Sequence, residues 1–250
     1  MISVSVGALL QHLLFLVLAV VAPLWDFYDT SRLKKNPSLA GKLRYYKTLA
    51  AWLWIASAIA VVTVGFRTLT TINPAPDEIS WLLQHAWVGH LAEALIAIIL
   101  VVLLLLPLTI VIWKKLTKQP RRYRSADALK SFDYFFPATW TERRWFAFLC
   151  ITAGICEEAL FRGFLLPYLH VSAFSLNLTL ALLISSIIFG LNHLYGGVGG
   201  VVGSAVVGFF LGLLFILTGN LLLPMALHAL FDLRMLVILR PPSAMEAVPA

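Results

Sequence analysis

Stretches of about twenty predominantly apolar residues recur along the chain. They predict seven membrane spans, at 3–25, 47–66, 87–113, 145–169, 178–194, 197–217 and 221–239. The period-two alternation of a membrane barrel is absent. The expected fold class is therefore all-α, a polytopic helical membrane protein with about seven transmembrane helices. The first span has neither the basic leading residues nor the small-residue cleavage site of a signal peptide, and Pro23-Leu24-Trp25 reads as an interfacial end.

The pattern changes near residue 125. From Ser125 to Arg144, Lys130, Asp133 and Glu142 are mixed with Leu129, Phe132, Phe135 and Trp140, which predicts an amphipathic helix lying in the membrane interface. Pro137 ends it. Thr139-Trp140-Thr141-Glu142 has the spacing of a capping box and opens the next helix. The chain thus divides into 1–124, transmembrane helices without a motif; 125–240, where the intramembrane polar residues gather; and a C-terminal tail, 241–250.

Composition excludes a soluble domain, since 60% of the 250 residues are hydrophobic and only 12% are charged. The net charge of +7 is not a nucleic-acid footprint. The basic residues concentrate in two loops, one with Arg32, Lys34, Lys35, Lys42, Arg44 and Lys47, the other running from Lys114 to Lys130. Both belong on the cytoplasmic side, against anionic lipid headgroups, while the segment with Asp77 and Glu78 faces out. This places the N-terminus outside and the C-terminus inside, in what short loops suggest is a bacterial inner membrane. Cys150 and Cys156 point in different directions on one helix and read as packing residues. Gly196, Gly197, Gly199 and Gly200, continuing into Gly203, Gly208 and Gly212, predict close helix approach; no lysine follows to make a phosphate loop.

Ionisable residues inside a bilayer cost roughly 2.5–3.5 kcal/mol each and need partners. The last four spans hold Glu157, Glu158, Arg162, His193, His228, Asp232 and Arg234. Glu158 and Arg162 are four apart, acid first, and can neutralise each other. Glu157, turned about 100° away, has no local counter-charge and is the candidate general base. His228 and Asp232 are also four apart, so the carboxylate can orient the imidazole. His193 stands one turn after Phe189 with Asn192 beside it. Were these helices to converge, Glu157 would deprotonate a water held by His193 and His228 would stabilise the oxyanion, hydrolysing a peptide bond without a covalent intermediate. Earlier in the chain, His12 is isolated and His90 is paired with Glu93 as an interfacial hydrogen bond.

Glu157-Glu158-Ala159-Leu160-Phe161-Arg162 matches EExxxR, Phe189 to His193 matches FxxxH, and His228 to Asp232 matches HxxxN/D. In this order, over about residues 125–240, the chain resembles the CPBP family of intramembrane proteases, which includes CAAX prenyl endopeptidases and bacterial Abi-type proteins. The resemblance implies a buried cavity in which Glu157 and His193 activate water and His228 with position 232 forms the oxyanion site. Glu158, Arg162 and Phe189 fill the remaining motif positions, with Asn192 supporting. It also implies a membrane-anchored protein or peptide substrate within the lipid bilayer, and no nucleic acid. The eukaryotic CAAX enzymes have Asn where this chain has Asp232, and an ionised Asp cannot donate to an oxyanion. Two histidines and a carboxylate are also a feasible zinc set, although HExxH is missing; a cofactor-free glutamate mechanism is the preferred expectation. The rival readings are a non-enzymatic immunity or binding protein and a proton-coupled transporter. By helix length, Glu157 and His228 fall near mid-membrane and His193 closer to the inner face, so convergence needs tilt or a fourth span beginning in the interface.

Overall fold

The computed structural model describes residues 5–72 and 133–238, with scattered helical positions between 90 and 109. Every extended element among them is helical: α1 (Val6–Lys35), α2 (Leu39–Val64), a short α3 (Phe66–Thr70), α4 (Trp140–Glu158), α5 (Leu178–Leu191), α6 (Gly197–Thr218) and α7 (Leu222–Ile238). Among the described residues, three helices are long and apolar enough to cross a membrane: Val6–Lys35, Leu39–Val64 and Leu194–Thr218. The predicted span 87–113, the loop with Asp77 and Glu78, the basic loop 114–130, the start of the amphipathic stretch, Glu93 and the C-terminal tail lie wholly or largely outside the described residues.

α1 does not stop at Trp25. A π turn over Val17–Val21 widens the helix just ahead of Pro23, whose missing N–H and bulky ring an unbroken α-helix accommodates poorly. Beyond it the helix continues to Lys35. Leu14, Leu18, Ala22, Asp26 and Thr30, four apart throughout, form one buried stripe. The expected first basic loop is consequently almost all helix, with only Asn36–Ser38 between α1 and α2. Its charges are partly internal. Lys42 is buried, donates to the Phe136 carbonyl at 2.7 Å and lies 3.9 Å from Glu142, while Arg44 pairs with Asp29 at 2.6 Å. With Tyr46 donating to the Phe135 carbonyl at 2.5 Å, these bonds strap residues 135 and 136 onto α2.

The capping box forms as predicted. Thr139 accepts from the Glu142 N–H and the Glu142 carboxylate accepts from the Thr139 N–H, so α4 starts at Trp140. At its far end α4 passes into a π turn, Ala159–Leu165, that is wholly buried. α7 packs along α4, α5 along α6, and α2 along the other side of α4. Glycines set the closest approaches. A Cβ on Gly154 would lie 2.6 Å from the Ala229 main-chain nitrogen, and one on Gly190 would lie 2.5 Å from the Val201 carbonyl oxygen. Gly208 and Gly212 are packed as expected, against Phe189 and Leu182. Gly196, Gly199 and Gly203 are not: a Cβ there would meet nothing within 4 Å. Those three glycines line a cavity, and their missing side chains widen it rather than bring helices together.

The outside of the bundle is apolar, with Val62 80% and Val198 82% exposed, while Glu158, Arg162 and His228 are at most 4% exposed. This inversion is what a lipid solvent demands.

Candidate active site

α4 delivers Glu157 and Glu158 at its last turn, immediately before the π turn that carries Arg162. Arg162 donates to Glu158 Oε1 at 2.7 Å and to the Gly208 carbonyl at 2.8 Å, and its guanidinium lies over the Phe189 ring, 4.4 Å from the centroid. The expected Glu158–Arg162 pair therefore exists, and it also links α4 to α5 and α6. A single charge buried in an apolar bundle is destabilising; here the carboxylate and guanidinium cancel and the carbonyl takes a further donor.

Glu158 has a second partner that helical spacing does not reveal. His228 Nδ1 lies 2.7 Å from the same Oε1, and no protein group meets Oε2 among the described residues. The imidazole is thus oriented by Glu158 on α4, whereas the expected orienting residue, Asp232, lies 3.7 Å from His228 Nε2, beyond hydrogen-bond range. Glu157 Oε2 is 3.9 Å from the same nitrogen. With Nδ1 bonded to Glu158, Nε2 faces the two carboxylates that remain. The close contact at Gly154 and Ala229 sets this up, since it brings the preceding turn of α4 against the residue next to His228.

His193 lies just past the end of α5 in a turn whose N–H bonds to Gly190 O at 2.9 Å. Its Nδ1 lies 2.9 Å from the Phe189 carbonyl oxygen. A carbonyl only accepts, so Nδ1 carries the proton and, in the neutral ring, Nε2 has a free lone pair. Asn192 donates to the carbonyls of Leu18 at 2.9 Å and Ile188 at 2.8 Å, pinning that turn to α1. Phe189 touches both imidazoles, with ring centroids 4.8 Å from His193 and 5.7 Å from His228. α5 is short: its 14 residues span only about 21 Å, against a hydrocarbon core of about 30 Å, and α4 begins five residues before the predicted span.

Glu157, His193, His228 and Asp232 all line one cavity of about 650 Å³. Among the described residues no three His, Cys, Asp or Glu side chains are grouped closely enough to hold a metal ion. Cys150 and Cys156 are free and buried, as packing residues. His12 meets the Tyr168 hydroxyl at 2.5 Å, away from this cavity. The cavity also contains residues that motif spacing does not single out: Asp26 from α1, Tyr45 from α2, and Tyr195 beside His193. The signal for Asp26 is its place in the every-fourth-residue ladder that begins at Leu14, which argues that the helix continues past Trp25.

These features define a class: an all-helical, apolar-surfaced protein with carboxylates and imidazoles gathered inside. Residues 139–234 match the family model for the type II CAAX prenyl endopeptidase Rce1-like proteins, over the segment that carries the three motifs. No curated protein and no solved structure matches the chain.

Proposed function

We propose that this protein is an intramembrane endopeptidase that cleaves a membrane-anchored protein or peptide with a water activated by Glu157 and His193. The observation that carries the reading is the convergence of Glu157, His193 and His228 on one cavity, with each imidazole held by its Nδ1 and its Nε2 left for chemistry. Water bound to the His193 lone pair gives a proton to Glu157 and attacks the scissile carbonyl. His228, in its imidazolium form, donates Nε2–H to the developing oxyanion, and Glu157 returns the proton to the leaving amine. Glu158 and Arg162 position His228 and Phe189. Asp232 completes the oxyanion side, where its protonated form can donate.

In this reading the chain crosses a bacterial inner membrane seven times, N-terminus outside, with basic residues toward cytoplasmic anionic lipid. Zinc held by the two histidines and a carboxylate is the alternative form of the same protease. A non-enzymatic immunity or binding protein is the alternative outside catalysis. Purified wild type, Glu157→Gln and His193→Ala, tested on a panel of membrane-anchored peptides, distinguish the protease from the non-enzymatic protein, and chelator treatment separates the zinc form. Cleavage by wild type alone is expected; equal cleavage by all three would exclude the mechanism. Biological activity fully retained by Glu157→Ala would favour the immunity protein.

A further inference from the structure

The cavity extends beyond the matched segment. α1 and α2 close one side of it, and they bring a carboxylate of their own. Asp26 is 7% exposed and lines the same cavity as Glu157. Its Oδ1 accepts from the Tyr45 hydroxyl at 2.5 Å, which fixes the carboxylate's direction. No cation pairs with it among the described residues. The neighbouring Arg44 is taken by Asp29 at 2.6 Å, and Lys34 lies over the Tyr134 ring, 5.9 Å from its centroid. Among the described residues, the arginine that lines the cavity, Arg234, has its guanidinium 3.3 Å from the Phe231 ring centroid, and His228 is held by Glu158.

The walls around Asp26 are aromatic. Trp25, Tyr45, Phe135 and Tyr195 line the cavity with it; Phe135 stacks on Tyr195 at 5.2 Å and meets the Tyr45 ring edge-on at 5.7 Å. A buried carboxylate among π faces is the chemistry that holds an ammonium or guanidinium group, through an ion pair and cation–π attraction together. The strap that places Phe135 is itself fixed by Tyr46 and Lys42. An Asp with its carboxylate in an apolar bundle and no counter-ion is costly to keep there. A ligand that brings the missing charge removes that cost.

We propose that Asp26 and its aromatic neighbours form a substrate subsite that selects a lysine or arginine side chain near the scissile bond. This rests on the proposed protease reading, because it takes the cavity to be the substrate cavity. It makes Asp26 a specificity-determining residue supplied by the N-terminal helices, outside the motifs that carry the chemistry.

The test uses the full chain in lipid nanodiscs and dye-labelled, lipid-anchored peptides with lysine at each position in turn, each compared with a glutamine twin. Binding is measured on Glu157→Gln, so that turnover does not enter. One lysine position is expected to tighten binding at least about tenfold, and adding Asp26→Asn, whose side-chain oxygen still accepts from Tyr45, removes the gap. Adding Asp26→Lys instead turns the preference toward a glutamate peptide. A carbodiimide, which joins a carboxylate to an adjacent amine, should link the preferred lysine to Asp26 in unmutated protein, a readout independent of how any variant folds. Cross-links only at other carboxylates, a lysine preference that survives Asp26→Asn, or no charge preference at any position would each overturn the inference. Cleavage of the same peptides by wild type is scored separately. A lysine preference in binding without any cleavage would overturn the protease reading and leave the subsite standing.

Discussion

His228 Nδ1 lies 2.7 Å from Glu158 Oε1, across 70 residues of chain. That bond connects the first and last motifs of the site, and it gives the second glutamate of the Glu157-Glu158 pair a role distinct from that of the first. Glu157 faces the cavity; Glu158 is fully buried and joins Arg162 to His228.

The two glutamates should therefore fail differently. If Glu157 is the base, Glu157→Gln removes it but leaves the ion pair, so unfolding in detergent should be close to wild type while cleavage falls by about 10²–10⁴-fold. Glu158→Gln leaves the Arg162 guanidinium buried without its counter-charge, which costs about 3–5 kcal/mol. It should lower both the melting temperature and activity. Equal stability of the two variants would contradict the assignment.

The contact at Gly154 offers a second test. A Cβ there would approach the Ala229 nitrogen to 2.6 Å and its Cβ to 2.7 Å. Gly154→Ala should push α7 off α4, at about 1–3 kcal/mol, and pull His228 away from Glu158, so that cleavage is lost before folding is. The added variant Ala229→Gly removes one clash but not the main-chain one, and should restore little activity. Full rescue would show that the helices can separate without disturbing His228.

How much of this is legible in the sequence differs from residue to residue. The start of α4 is, because Thr139 and Glu142 carry their own capping chemistry. The Glu158–Arg162 pair is too, because four-residue spacing puts both on one helix face. The Glu158–His228 bond is not, since no local periodicity encodes which face of α7 meets α4; spacing instead favours Asp232 as the partner of His228. Asp26 is concealed by the basic residues that follow it, which read as loop although they sit on helix. The cavity glycines mislead for a similar reason. Gly199 and Gly203 resemble Gly208 in sequence, and only the position of neighbouring helices separates an open wall from a tight contact.

Metal removal gives a third test. His193 Nδ1 is tied to the Phe189 carbonyl and Glu158 is occupied by Arg162 and His228. A zinc ion would have to draw on His193 Nε2, His228 Nε2 and Glu157, which are not grouped as a ligand set. Cleavage should survive prolonged treatment with a strong chelator, and metal analysis of active protein should find no stoichiometric zinc. Activity lost to the chelator and restored by zinc would select the metalloprotease form instead.

Asp232 is the position where the site departs from the Asn of the eukaryotic enzymes it resembles, and its geometry gives the departure a testable meaning. Oδ2 stands 3.7 Å from His228 Nε2, too far to orient the ring, a task Glu158 already performs. If its part is to donate a hydrogen bond to the oxyanion, an amide does that at every pH, whereas a carboxyl does so only while protonated. Asp232→Asn should then keep kcat near wild type and extend activity to higher pH, with KM little changed. Asp232→Ala loses the donor altogether and should lower kcat by about 10²–10³-fold, the usual cost of removing one oxyanion contact. The reverse order, with Asn as damaging as Ala, would mean that the negative charge itself is needed, and Asp232 would then act as a counter-ion to the His228 imidazolium rather than as a donor.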